Sequence, residues 1–127
     1  MWQEYNPNPN GRRVGDCAVR AVAKATNQSW HDAFVDLIAQ SLIDCDMPSS
    51  DAIWGACLAN RGFKRFAVPT TCPDCYTAAD FAADHPIGTF VLGFGGHTAT
   101  IVDGVLYDSW DSSTLVPQYY WYKARRQ

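Results

Sequence analysis

The hydrophobic period of this chain changes once, at Pro86, and that change confines it to one fold class. Before Pro86, apolar residues recur at helical spacing. After it, β-branched and aromatic residues gather in short runs, Thr89 to Leu92, Thr98 to Val102 and Val105 to Tyr107. Asp103-Gly104 sits between the last two runs, a pair that favours the left-handed conformations of a two-residue hairpin. Tyr119 to Tyr122 supplies a closing strand. Helices followed by an antiparallel sheet describe an α+β domain.

Four helices are expected in the first part. Residues 16–26 form the first, with Ala18, Val19, Ala21, Val22 and Ala25 on one stripe, Asp16 as N-cap and Asn27 as terminator. Ser29 opens the second in a capping-box pattern with Asp32, and Phe34, Leu37, Ile38 and Leu42 make its inward face. The third runs from Asp51 to about Arg61, capped by Ser50, buried through Ile53, Trp54, Cys57 and Leu58, and ended by Gly62. The fourth runs from Thr77 to Asp84 and stops before Pro86. Residues 5–15, rich in Asn, Pro, Gly and Arg, form a loop-rich N-terminal segment. No repeat or second domain is visible, so 1–127 is read as a single domain.

Charge and composition exclude several functions. The net charge is −3, and the one basic cluster is Lys123-Ala124-Arg125-Arg126, so nucleic acid is not the expected partner. No apolar run approaches the roughly 20 residues of a membrane span. The first residues lack a charged and apolar leader pattern, and the five cysteines are odd in number and scattered. Free thiols in a reducing cytoplasm are the expectation.

Gly15-Asp16-Cys17 places a thiol where a polar loop meets the first helix, and the positive end of a helix dipole favours thiolate. A thiolate nucleophile needs a base, and His97 follows the open Gly95-Gly96 pair at the head of a strand. With Asp103-Gly104 as turn residues, Val102 pairs with Val105 and Thr98 faces Ser109. His97 and Asp108 then lie at one end of the hairpin, where an acid can fix the tautomer of the imidazole. Arg20 lies one turn beyond Cys17 and is expected to pair with a carboxylate. Arg12 and Arg13 flank the expected cleft and would give it a weak preference for acidic groups.

In these motifs the chain resembles the papain-like (clan CA) cysteine peptidases, and small phage and bacterial proteins of that type in particular. The resemblance rests on Asn8-Pro9, Gly15-Asp16-Cys17, Arg20-Ala21, Gly96-His97 and Tyr107-Asp108-Ser109-Trp110, within residues 6–24 and 88–113. Asp108-Ser109-Trp110 is similar to the Asn-Ser-Trp motif of papain. The Asp16-Cys17 pair and an acidic third member are similar to the bacteriocin-processing peptidases. The resemblance implies a helical lobe carrying Cys17 against an antiparallel sheet carrying His97 and Asp108. It implies hydrolysis of a peptide or isopeptide bond in a protein or peptide substrate, with no cofactor and no metal. Papain-like enzymes place an oxyanion-donating Gln about six residues before the Cys, where this chain has Gly11. Asn8 is the side chain assigned to that role, beside the Cys17 N–H.

Competing readings are a thiol-dependent acyltransferase or amidase of the same fold, and a non-catalytic binding module. Cys72-Pro73-Asp74-Cys75 is a CxxC sequence in a turn. An inert turn is the default reading, with zinc ligation and a loose disulfide as alternatives. Cys45 and Cys57 are expected to be structural, His31 exposed, and His85 the end of the fourth helix.

Overall fold

The protein is described by a computed structural model covering residues 1–69 and 71–124. Arg125 and Arg126 of the basic cluster lie outside the described residues. The chain order is β1 (Trp2–Glu4), α1 (Cys17–Thr26), α2 (Trp30–Asp44), α3 (Asp51–Asn60), β2 (Lys64–Ala67), α4 (Ala78–Asp84), β3 (Thr89–Phe94), β4 (His97–Val102), β5 (Val105–Asp108) and β6 (Tyr119–Lys123). The fold is therefore α+β, with six strands in one sheet of order β1-β5-β4-β3-β6-β2.

The sheet is mixed where the sequence suggested an antiparallel one. β1 pairs parallel with β5, in register Trp2 to Leu106 and Glu4 to Asp108. Both strands absent from the sequence reading, β1 and β2, are short, exposed edges of three and four residues. Neither carries an alternating buried face, so neither leaves a periodic signal. The hairpin behaves as expected: Asp103 and Gly104 both take positive φ, 49° and 79°, and Val102 pairs with Val105.

The helices divide between the two faces. α1, α2 and α3 bury Val19, Val22, Leu37, Ile53, Trp54 and Leu58 with Val91 and Tyr119 of the sheet. α4 buries Phe81 against Phe90, Leu92, Ile101 and Leu106, with Tyr120 and Tyr122 alongside. The aromatic run of β6 thus feeds both cores through its two-residue period, Tyr119 and Trp121 to one and Tyr120 and Tyr122 to the other. Thr100 Oγ1, fully buried, donates to the Ala21 carbonyl at 2.8 Å and ties α1 to β4.

The face of α2 differs from expectation. Ala33, Leu37 and Ser41 point inward, whereas Phe34, Ile38 and Leu42 are exposed. Small side chains on either side of Leu37 let the helix sit close to its neighbours, so the larger residues occupy the outer surface. At α3, Ser50 holds the N-cap position without a side-chain cap, its hydroxyl donating instead to Asp46 at 2.9 Å.

Candidate active site

Cys17 is the first residue of α1, and Asp16 holds the N-cap position. Asp16 does not cap the helix with its side chain. One of its oxygens pairs with the Arg20 guanidinium, and the other accepts the Trp30 indole N–H at 2.9 Å. The first helical bond runs from the Arg20 amide to the Asp16 carbonyl. The amides of Cys17, Ala18 and Val19 therefore donate to no protein acceptor among the described residues. An uncapped helix start is a ready receiver for negative charge.

His97 opens β4 directly after the turn Gly95-Gly96, where Gly96 has φ +78° and open space around it. Its Nε2 lies 2.7 Å from Asp108 Oδ2. That contact assigns the proton to Nε2 and leaves Nδ1 as the nitrogen available to the Cys17 thiol. Trp110, half exposed, leans over the imidazole with ring centroids 4.8 Å apart.

Asp108 is 1% exposed and fully provided with donors. Oδ2 accepts from His97 and from Ser112 Oγ at 2.7 Å. Oδ1 accepts from the Ser109 amide at 2.7 Å and from Arg20 Nη2 at 3.0 Å. Its backbone carbonyl accepts from the Tyr5 amide at 2.8 Å.

The electrostatics follow from these contacts. Burial pushes the Cys17 thiol up, but the hydrogen bond and charge of His97, the Thr98 backbone N–H and Arg20 outweigh it and leave the thiol below its ordinary value. Burial pulls His97 down, but hydrogen bonds to Asp108 and Cys17 and their charges carry it up to about 9. Burial pushes Asp108 up, and His97, Ser112 and Ser109 together bring it below the usual carboxylate range. All three directions favour a thiolate–imidazolium–carboxylate row at neutral pH.

Comparison with protein families, curated proteins and solved structures finds no match to this chain.

Cys17, His97 and Asp108 are thus brought together. Asn8 is engaged elsewhere: its Oδ1 accepts from the Asn10 amide at 2.9 Å and the Arg12 amide at 3.3 Å, holding the loop before α1. It makes no hydrogen bond to Cys17, His97 or Asp108, and its Nδ2 donates to no protein acceptor among the described residues. Arg13 pairs with Glu4 at 2.5 Å and donates to the Ser109 carbonyl, so it braces the loop against β1 and the end of β5. Ser112 leaves no signal in the sequence because it lies four residues beyond Asp108 in an irregular segment. Arg20 does leave one, four residues after Asp16 on a helix, although its second partner does not.

A hollow of about 230 Å³ borders the start of α1, lined among others by Val14, Gly15, Asp16, Trp30 and Phe34. Larger hollows of about 400 and 340 Å³ lie between α2 and α3 and between α3 and β6, away from Cys17. Cys72 and Cys75 form a disulfide, so the disulfide alternative replaces the inert turn expected there, and the expectation of free thiols holds for Cys17, Cys45 and Cys57 but not for this pair. Cys45 is an exposed helix terminator and Cys57 is buried in α3. His31 is exposed, and His85 ends α4 with its ring stacked on Phe81 at 3.9 Å. Among the described residues no group of His, Cys, Asp and Glu could hold a metal ion, and no helix is long and apolar enough to cross a membrane.

Proposed function

We propose that this protein is a papain-like cysteine hydrolase that cleaves a peptide or isopeptide bond. One observation carries the reading. The thiol at the uncapped start of α1 interacts with the imidazole of His97, whose far nitrogen is held by a buried carboxylate at 2.7 Å.

His97 Nδ1 takes the Cys17 proton, and the sulfur attacks the amide carbonyl carbon. The C–S bond forms as the carbonyl electron pair moves onto oxygen. That oxyanion is received by the Cys17 N–H at the positive end of α1. Collapse expels the amine, which takes the proton from His97 and leaves a thioester. Water then attacks the thioester, gives a proton to His97, and releases the acid as the C–S bond breaks. Asp108 keeps the imidazole in the tautomer that both steps need. The hollow beside the α1 start, apolar through Val14, Trp30 and Phe34, is the place we assign to a bulky apolar side chain of a protein or peptide substrate, although none of Cys17, His97 and Asp108 lines it. The mechanism requires Cys17 as a free thiol, as it is in the structure.

The test is a peptide-library digest in heavy-oxygen water, with wild type beside Cys17→Ala. Heavy oxygen in new carboxyl ends, lost in Cys17→Ala, supports hydrolysis. New amide products formed with an added primary amine make the protein an acyltransferase instead. Cleavage by wild type no faster than by Cys17→Ala overturns the assignment.

A further inference from the structure

Arg20 is buried, 5% exposed, and joins two carboxylates from different parts of the chain. Nη1 pairs with Asp16 Oδ1, next to the nucleophile, and Nη2 with Asp108 Oδ1 at 3.0 Å, behind the imidazole. Its Nε is a buried nitrogen without a partner among the described residues. A guanidinium held at both fork tips, with its third nitrogen unsatisfied, is fixed by its two acids and not by general packing.

We propose that Arg20 is a positioning residue, a clamp that holds Asp108 in line with His97 and neutralises Asp16 beside Cys17. The inference rests on the catalytic reading above and deepens it. Asp16 alone would place a negative charge one residue from the sulfur and disfavour the thiolate. As a free N-cap it would also fold back onto the amides of Ala18 or Val19. Arg20, with the Trp30 indole, draws the carboxylate away and offsets its charge. The same guanidinium occupies Asp108 Oδ1, so that Oδ2 is the oxygen left to face His97. The side chain therefore links the helix that carries the nucleophile to the strand that carries the acid.

The charged and titratable groups around it are Asp16, Asp108, His97 and Cys17, with Tyr5 close enough to feel its charge. Removing Arg20 alone takes the shared cation from two buried carboxylates and endangers the fold. The double variant Arg20→Met with Asp16→Asn removes the clamp without that burden. The experiment is the pH profile of Cys17 alkylation by iodoacetamide, read by peptide mass spectrometry so that Cys45 and Cys57 are counted separately. Circular dichroism checks the fold.

Wild type should alkylate at Cys17 with a midpoint below the ~8.5 of a free thiol. In the folded double variant the Cys17 midpoint should rise by half a unit or more, while Cys45 stays where it was. Arg20→Lys, which keeps the charge but not the two-pronged geometry, should recover the midpoint only in part. The double variant also lacks the Asp16 charge and so tests the hold on Asp108. A wild-type Cys17 midpoint there, together with a wild-type midpoint in Arg20→Lys, which retains Asp16, overturns the clamp. A wild-type Cys17 that titrates like a free thiol overturns the catalytic reading itself, so the two failures are distinguishable.

Discussion

Replacing Asp108 with Asn tests the site through a pH dependence that only the His97 pair would produce. The carboxylate has four donors, His97 Nε2 and Ser112 on one oxygen, Arg20 and the Ser109 amide on the other. The substituted amide would keep its oxygen toward Arg20 and Ser109 and turn its NH2 toward His97 and Ser112. The serine hydroxyl can rotate to accept. The imidazole must reverse its tautomer, placing a proton on the nitrogen that faces Cys17, so it can no longer act as base. The folded chain also loses the interaction that helps carry His97 up to about 9. A raised histidine contributes stability that is complete below its unfolded value of 6.5 and vanishes as pH climbs through about 9. At about 1.36 kcal/mol per pH unit, the whole rise is worth at most about 3 kcal/mol. Cys17 supplies part of the rise, which leaves about 2 kcal/mol to Asp108. The depression of Asp108 acts only in acid and does not enter this window. Cys17, lowered by its contacts with His97, titrates in this window with the opposite sign, so the comparison is made in a Cys17→Ala background. Urea denaturation at pH 6 and pH 9.5 should there show Asp108→Asn to be more destabilising at pH 6, by about 2 kcal/mol. Iodoacetamide labelling of Cys17 at pH 6.5 should slow about tenfold in Asp108→Asn alone, since one pH unit in thiolate midpoint is a factor of ten. Equal destabilisation at both pH values, or unchanged labelling, would refute the charge row.

Cys17→Ala should abolish both labelling at that position and hydrolysis, and should cost about 1 kcal/mol in urea denaturation at pH 6, the part of the His97 rise that the thiol supplies. Gly93→Ala would set a methyl 2.2 Å from Tyr119 Cζ, so the ring in β6 must shift; a loss of about 1–3 kcal/mol in urea denaturation is expected. Thr100→Val removes the hydroxyl bond to the Ala21 carbonyl and should cost about 1 kcal/mol, with a weaker link between α1 and β4 visible as faster amide exchange in α1. Phe34→Ala, at the rim of the hollow beside the α1 start, should raise KM for substrates with bulky apolar side chains and leave kcat unchanged.

The sequence displays the parts of this fold whose physics is local. Asp103-Gly104 determines the hairpin because few residues accept positive φ at two consecutive positions. From that register alone His97 and Asp108 fall at one end, where the structure has them 2.7 Å apart. Asp16 is legible as an N-cap position but not as the partner of Arg20 and Trp30, since Trp30 belongs to the next helix. The α2 face is hidden because Ala33 and Ser41 carry little hydrophobic signal, although their size decides which side packs. β1 is hidden because its only partner, β5, lies about a hundred residues further along the chain.

That late partner has a consequence for when the site can exist. Asp108 receives the Tyr5 amide on its carbonyl and Arg20 of α1 on its carboxylate, with His97 delivered by the neighbouring strand. Two segments far upstream, at Tyr5 and Arg20, thus converge with the adjacent hairpin strand on one buried residue, and each of those two closes a long loop at an entropic cost. The Asp16–Arg20 pair can form within α1 alone, because its members are four residues apart. The pairs that reach Asp108 require the finished sheet. A chain folded only as far as its helices would therefore carry Cys17 and a half-made clamp, but no oriented base. Reactivity of the thiol should then appear with the β4–β5 hairpin and not before it, so in partial urea unfolding the fast alkylation of Cys17 should disappear together with sheet structure while helical signal remains.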